Sequence, residues 1–437
     1  MVPYLYKMHM RKFLLFGLLL VSMLSACDKD DNDPAPGERP DERLEKTLGE
    51  YKSQLVSAEH GWKATLFPEG GAGYSFLFRF LENDRVVTLS DISAAAATTP
   101  LESTYRLKAG QQPSLLFDTY TYLHVLADPD ASKSGGEWGQ GRSSDYEFSF
   151  EEVSPDSIVL TGNYNGSRLV LVRATAEEAS NYIPRINEQI LAFEGINNFS
   201  LYFKQLTIGG QSFDIKVNTT LRTITFTYDD GSGVKSFTTG YYYTLEGVRL
   251  LQPLQIGDLT IASFNDLEYQ AAQSRVDVTV NGVTGSIREA SKPANIDTQL
   301  ARAFYNNPAN GTYWLTEGFV VEGVEDAFQL STLPDFSLLV YWPKFDDVEG
   351  TPYDLMGFVF GNSIRYGPAA VPSFPRDGRI IFQELGMLGE VPAEHAPIIE
   401  AFTKQWTDPE GYYVVQTSPS TYDLVSAKDA KTWISFE

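Results

Sequence analysis

The feature that most constrains this chain is a two-residue period in its large apolar side chains. Tyr74, Phe76, Phe78 and Phe80 recur on alternate positions, with Ser75, Leu77 and Arg79 between them. Successive strand side chains point to opposite faces, so this period predicts a β-strand with one packed face. Glu82-Asn83-Asp84 forms a turn and Arg85–Leu89 returns. Tyr105–Leu107, Leu115–Phe117, Tyr146–Phe150, Ser157–Leu160 and Arg168–Val172 read as further strands, and Asn165-Gly166 predicts a type I′ hairpin turn. The same period resumes at Arg222, Ile224, Phe226 and Tyr228, and at Val276, Val278 and Val280 before Asn281-Gly282. Beyond residue 312, strands are expected at Thr312–Leu315, Phe336–Trp342, Gly357–Phe360, Ile380–Glu384 and Tyr412–Gln416. With 24 tyrosines and 27 phenylalanines favouring strands, the expected class is α+β, mainly β: antiparallel sheets with a few flanking helices. The groups 63–173, 199–287 and 312–437 are alike in make-up, which suggests a duplicated β-rich unit.

Helical spacing interrupts this pattern. Leu44, Leu48, Tyr51, Leu55 and Ala58 share one face of a helix over Asp41–His60, with Trp62 expected as a core anchor just after it. Thr175 and Glu178 make a capping box for a helix to Phe193, where Pro184 predicts a kink or a division into two. Short helices are expected at Asn295–Tyr305 and Pro392–Trp406. The organisation so read is a signal segment (1–26), an acidic tether (27–40), a helix plus antiparallel β domain (41–193) and a second β-rich region (194–437) that could split near 290–310.

The amino terminus carries the most specific signal. Lys7, Arg11 and Lys12 precede an apolar run, Phe13–Val21, too short to span a bilayer; Met10 is an alternative start. The segment ends Leu24-Ser25-Ala26-Cys27, which resembles a bacterial lipobox. Cys27 is the one cysteine in 437 residues, so its expected role is lipidation, with acyl chains that hold the protein in the outer membrane. Asp28-Lys29-Asp30-Asp31-Asn32-Asp33 resembles the acidic surface-export signal of Bacteroidota lipoproteins, so a cell-surface location is expected.

Residues 1–26 hold three basic and no acidic groups, so their removal takes the formal charge from −23 to −26 over 411 residues. That balance argues against a nucleic-acid partner.

Several stretches resemble one family: Gly61-Trp62, Gly73–Phe80, Asn83–Asp91, Ser103–Lys108, Pro113–Pro129 and Ser144–Phe148. Together they resemble a Bacteroidota lipoprotein family catalogued as domain of unknown function 4302. The resemblance runs from about residue 41 to the chain end and is strongest over 60–173. It implies an accessory lipoprotein associated with SusC/SusD-type uptake systems that import glycans or peptides. It implies no chemistry.

The sequence holds no HExxH, CxxC, Walker loop, helix-opening GxGxxG or GxSxG. His60 reads as a helix C-terminal residue and His395 as part of a first helical turn. His124 lies four residues before Asp128, and with Asp130 and Asp145 these form a candidate site for a divalent cation. The alternative is a histidine hydrogen-bonded to Asp128, with Asp128-Pro129 opening a turn. Trp138 sits within a Gly/Ser-rich loop, Ser132–Ser144, and with Tyr120 and Tyr122 is a candidate platform for a ligand. The leading expectation is a non-catalytic binder of a glycan or peptide for an adjacent importer. A hydrolase with an unrecognised carboxylate or metal site, and a structural subunit of an uptake complex, are the alternatives.

Overall fold

A computed structural model describes residues 40–110 and 112–437. The expected signal segment, Cys27 and the tether through residue 39 lie outside the described residues. The chain forms two compact bodies, residues 1–52 and 53–437. The described part of the first is the opening of helix α1 (Pro40–Val56), where the Thr47 hydroxyl donates to the Arg43 carbonyl at 2.9 Å. Among the described residues, no helix is long and apolar enough to cross a membrane.

The second body holds three successive β units. The first is a closed antiparallel barrel of β1 (Trp62–Phe67), β2 (Tyr74–Phe80), β3 (Arg85–Ser90), β4 (Leu101–Ala109), β5 (Pro113–Phe117), β6 (Glu147–Val153), β7 (Ser157–Gly162) and β8 (Arg168–Arg173). The period of two explains its interior: Phe76, Phe78 and Phe80 turn inward with Phe117 and Phe148, and all five are buried. Closure comes from β8 returning to β1, Arg173 opposite Trp62, which leaves no unpaired edge. The connections carry helices α2 (Ala94–Thr98), α3 (Tyr122–Ala127) and α4 (Ala131–Ser134). Between β7 and β8 the expected two-residue turn is absent. Gly162 N donates to the Ser167 carbonyl at 2.7 Å, so the loop spans 163–166, and of these residues only Gly166 has a positive φ.

Helix α5 (Ala176–Glu194) leads to the second unit. Its capping box forms as the sequence predicts, but Pro184 does not divide it. The buried faces of Ile183, Ile186 and Phe193 hold it as one helix despite the lost N–H. Ile186, Phe193, Ile196 and Phe199 enter the core of a second closed barrel. Its strands are β9 (Phe203–Ile208), β10 (Gln211–Asn218), β11 (Thr223–Asp229), β12 (Val234–Tyr243), β13 (Gly247–Ile256), β14 (Leu259–Gln270), β15 (Arg275–Val280) and β16 (Val283–Ala290). Asn281 and Gly282 both have positive φ, 52° and 80°, as a type I′ turn requires.

The third unit comprises helix α6 (Leu300–Asn306), β17 (Trp314–Thr316), β18 (Phe319–Val321), β19 (Phe336–Val348), β20 (Thr351–Phe360), β21 (Ser363–Ser373), β22 (Arg379–Leu388), helix α7 (Ala396–Trp406), β23 (Tyr412–Ser418), β24 (Thr421–Ser426) and β25 (Thr432–Phe436). The helix expected from residue 295 begins only at Leu300, because the Asn295 side chain is engaged with the Ser212 and Thr227 carbonyls. β17 pairs with β19 while β18 pairs with β25, and Leu315 and Glu437 exchange backbone hydrogen bonds at 2.9 and 3.1 Å. The interrupted strand therefore draws the two ends of this sheet together.

The units share a local device. Trp62, the first residue of β1, donates its indole N–H to the Leu55 carbonyl of the preceding helix at 2.8 Å. Trp314, the first residue of β17, does the same to Phe304 of its preceding helix at 3.1 Å. Both rings are buried, so each indole satisfies a carbonyl at a helix end while filling the core below it. The repeat of this arrangement fits the duplication suggested by the sequence.

The first two barrels are joined by one buried cation. Arg222, between β10 and β11, donates to Asp91 Oδ2 at 2.9 Å and to the carbonyls of Gly73 and Asp91 at 2.7 and 2.8 Å. Its guanidinium lies over the Tyr74 and Tyr243 rings, 4.4 and 5.0 Å from their centroids. Burial opposes the charge, but Asp91 and the two phenols hold the pKa above its ordinary value.

Candidate functional site

In an antiparallel meander, alternate connections emerge at the same end. The β5–β6 excursion (118–146) and the β7–β8 turn (163–166) therefore share one end of the first barrel. The candidate ligand- and cation-binding residues all fall on the excursion, while Cys27 lies outside the described residues.

Thr121 caps α3. Its side chain accepts from Leu123 N, and His124 Nδ1 accepts from Thr121 N at 3.1 Å in a reciprocal capping box. The His124 ring is stacked between Tyr120 (centroids 5.6 Å apart, 28°) and Tyr146 (4.5 Å, 19°). Burial lowers its pKa, against the opposing pull of Asp118, so the neutral ring is favoured. This sandwich was not legible in the sequence, because Tyr146 comes from the far end of the excursion.

The proposed cation ligands are dispersed over separate tasks. Asp128 Oδ1 accepts from Asp130 N at 2.9 Å, the turn that Asp128-Pro129 suggests. Asp130 caps α4, accepting from Ser132 N and Oγ at 3.0 and 2.6 Å. Asp145 is buried and binds the β7–β8 turn, accepting from the backbone of Tyr164 (2.8 Å), Asn165 (2.9 Å) and Ser167 (3.0 Å). His124, Asp128, Asp130 and Asp145 are thus not brought together, and among the described residues no group of three or more His, Cys, Asp or Glu could hold a metal ion. Their shared physical role is to order loops.

The Gly/Ser-rich loop is tightly built. Glu137 N donates to Gly141 O at 2.9 Å, Gly139 N to Pro129 O at 2.9 Å, and Arg142 N to Leu126 O at 2.8 Å. A β-carbon on Gly136 would lie 2.0 Å from Gly141 O, and one on Gly141 would lie 2.6 Å from Asp128 O. The glycines are thus required by close backbone approach. Arg142 fastens the base of the loop, donating to Ser134 O at 2.7 Å and to Thr220 O of the second barrel at 2.6 Å.

On this framework Trp138 stands 74% exposed, Tyr120 56%, Tyr146 45% and Tyr164 92%. Tyr122 departs from expectation: its hydroxyl is engaged with the Thr99 carbonyl at 2.7 Å, so it braces the excursion. Tyr146 and Tyr164, which the sequence did not single out as site residues, take its place. Four exposed aromatic rings thus stand on the connections at one end of the first barrel.

His395, the remaining histidine of interest, lies in the third unit, 2.7 Å from the Tyr366 hydroxyl through Nδ1 and stacked on Phe360.

Among solved structures, the chain is similar to the crystal structure of isotype 1 transferrin-binding protein B from serogroup B Neisseria meningitidis, at 8% identity and a TM-score of 0.11, over 86% of this chain and 75% of that one. A likeness that slight carries no argument about fold or function. No curated protein matches the sequence. A family match spans residues 33–271, the first barrel and most of the second, and stops short of the third unit, to which the sequence resemblance had extended. Over more than half of its length, the chain belongs to the family described as Domain of unknown function (DUF4302).

Proposed function

We infer that the protein is a surface lipoprotein of a Bacteroidota outer membrane, held by acyl chains on Cys27, that binds a glycan or peptide for a SusC/SusD-type importer. The observation that carries the binding role is that four exposed aromatic side chains, Tyr120, Trp138, Tyr146 and Tyr164, all stand on connections at one end of the first barrel. Exposed rings this large cost solvation unless a partner covers them, and here the surrounding loops are ordered by the Asp128, Asp130 and Asp145 carboxylates and by close glycine contacts. Pyranose rings present flat C–H faces that such rings accept, so a glycan fits this surface best. The lipobox, the acidic stretch after Cys27 and the family resemblance support the location.

The test is binding of the soluble chain from residue 41 to immobilised glycans and to a peptide library, beside a hydrolysis screen. Saturable glycan binding without turnover is expected. Product release from any bound glycan would replace this reading with a hydrolase, and silence in all three assays would favour a structural subunit.

A further inference from the structure

A concave surface is lined by none of the residues of the aromatic end. Between the outer wall of the second barrel and the third unit runs a cleft of about 1650 Å³, larger than the roughly 300–1,000 Å³ of ordinary small-molecule pockets.

The two walls of the cleft are tied to each other. Tyr202 donates its hydroxyl to Asp423 Oδ2 at 2.5 Å, and Lys216 Nζ stands 3.6 Å from the same oxygen. Tyr202 meets Trp433 edge-on at 5.4 Å, Phe203 meets Tyr413 at 6.0 Å, and Phe203, Val425 and Ala430 form a small buried core beneath them. The cleft therefore stands open between walls fixed to each other, and a ligand need not organise it.

The walls are rich in hydroxyls. The second barrel contributes Thr225 and Thr238, whose Oγ1 atoms are 2.8 Å apart, with Thr227 and Ser236. The third unit contributes Gln416, Thr417 and Ser435, beside the half-buried rings of Tyr413 and Trp433. Charge of both signs is present: Lys204, Lys216 and Lys235 beside Asp214 on the barrel wall, and Glu317, Glu325, Asp326 and Asp423 on the other. Several of these are neutralised locally, Lys216 by Asp423 and Asp326 by the Leu330 and Ser331 N–H groups. The excess of carboxylates over lysines disfavours an anionic ligand. Hydroxyl donors and acceptors beside flat rings favour a neutral, polyhydroxylated one.

We propose that this cleft is a second carbohydrate site, which takes a stretch of a neutral oligosaccharide with Trp433 as its stacking surface. It uses none of the residues at the aromatic end, and its far wall belongs to the part of the chain beyond the family match.

The test is isothermal titration of the soluble chain from residue 41 with four neutral hexasaccharides: α-1,4-glucan, β-1,4-glucan, β-1,4-mannan and β-1,4-xylan. Thr238→Trp and Ser236→Arg, both at exposed positions, fill the cleft without touching a core, and Trp433→Ala removes the platform. At least one hexasaccharide should bind the wild type, and that binding should fall tenfold or more in Thr238→Trp and Ser236→Arg while the melting temperature holds. The same binding should survive in a chain carrying Trp138→Ala, Tyr146→Ala and Tyr164→Ala. Unchanged binding in both cleft-filling variants overturns the cleft site, as does absence of binding by all four sugars. If binding is lost only in the triple aromatic variant, the aromatic end stands alone and the cleft is empty scaffold.

Discussion

The first and second barrels have the same eight-stranded antiparallel plan and differ in their connections. The second barrel joins its strands by short turns, such as Gly209-Gly210 and Asn281-Gly282, and its large exposed apolar residues are Leu221, Leu251 and Val283, none aromatic. The first sends its chain out from residue 118 to residue 146 before resuming, and displays Tyr120, Trp138, Tyr146 and Tyr164. The second also receives helix α5 into its core and supplies the buried arginine of the joint. The difference lies in what the loops display: the first barrel carries exposed aromatic rings on connections that the shared barrel plan does not need, the place where recognition resides on the function proposed above, and the second barrel does not.

The largest expected effect breaks the joint. Arg222→Met leaves Asp91 buried without its counter-charge and should cost about 3–5 kcal/mol in urea unfolding. A loss below about 1 kcal/mol would mean that the barrels hold together without it. Next is Asp145→Ala, which strips an acceptor from three backbone N–H groups. A loss of about 2 kcal/mol is expected, with faster amide exchange confined to the β7–β8 turn. Exchange spread evenly over the barrel would contradict a local role.

Smaller effects appear in pH dependence, with opposite signs in two regions. His124 has a folded pKa below its unfolded value, chiefly through burial, so its contribution to stability is present above the ordinary histidine value and lost as pH falls through the folded one. His124→Gln should flatten that acid-side loss in a thermal-melt series. Asp354, in the third unit, is pushed by burial up to about 6, against hydrogen bonds from Lys344 N and the Tyr341 and Tyr305 hydroxyls. Its contribution is full below the ordinary aspartate range and is lost as pH rises through about 6. Asp354→Asn should remove that loss, and the difference from wild type should vanish at low pH. A constant difference across the series would contradict the titration.

The sequence disclosed much of this fold because period-two patterning is local. The strand from Tyr74 to Phe80, the Asn281-Gly282 turn and the Thr175/Glu178 capping box each depend on residues close together, and each forms. Closure into barrels depends on Trp62 meeting Arg173, a pairing no local pattern encodes. Site residues divided in the same way. Trp138 and Tyr120 stood out as aromatics in a polar excursion, and both are exposed. Tyr146 was hidden because it reads as the start of a strand, and it is paired with His124 only by folding. The acidic residues near His124 looked like a cluster because helical spacing was assumed beyond the end of α3, whereas Asp128 lies at its cap and Asp145 reaches another loop.

On the function proposed above, recognition resides in the aromatic end of the first barrel. Its most direct test is the affinity of the soluble chain for its best glycan from the immobilised panel, measured in a Thr238→Trp background that fills the cleft, without further change and with Trp138→Ala, Tyr146→Ala and Tyr164→Ala singly and together. Each single change should weaken binding about tenfold, roughly 1.4 kcal/mol, with stability held within about 0.5 kcal/mol because the side chains are exposed. The triple variant should show no measurable binding there. Undiminished affinity in the triple variant of that background would contradict the claim.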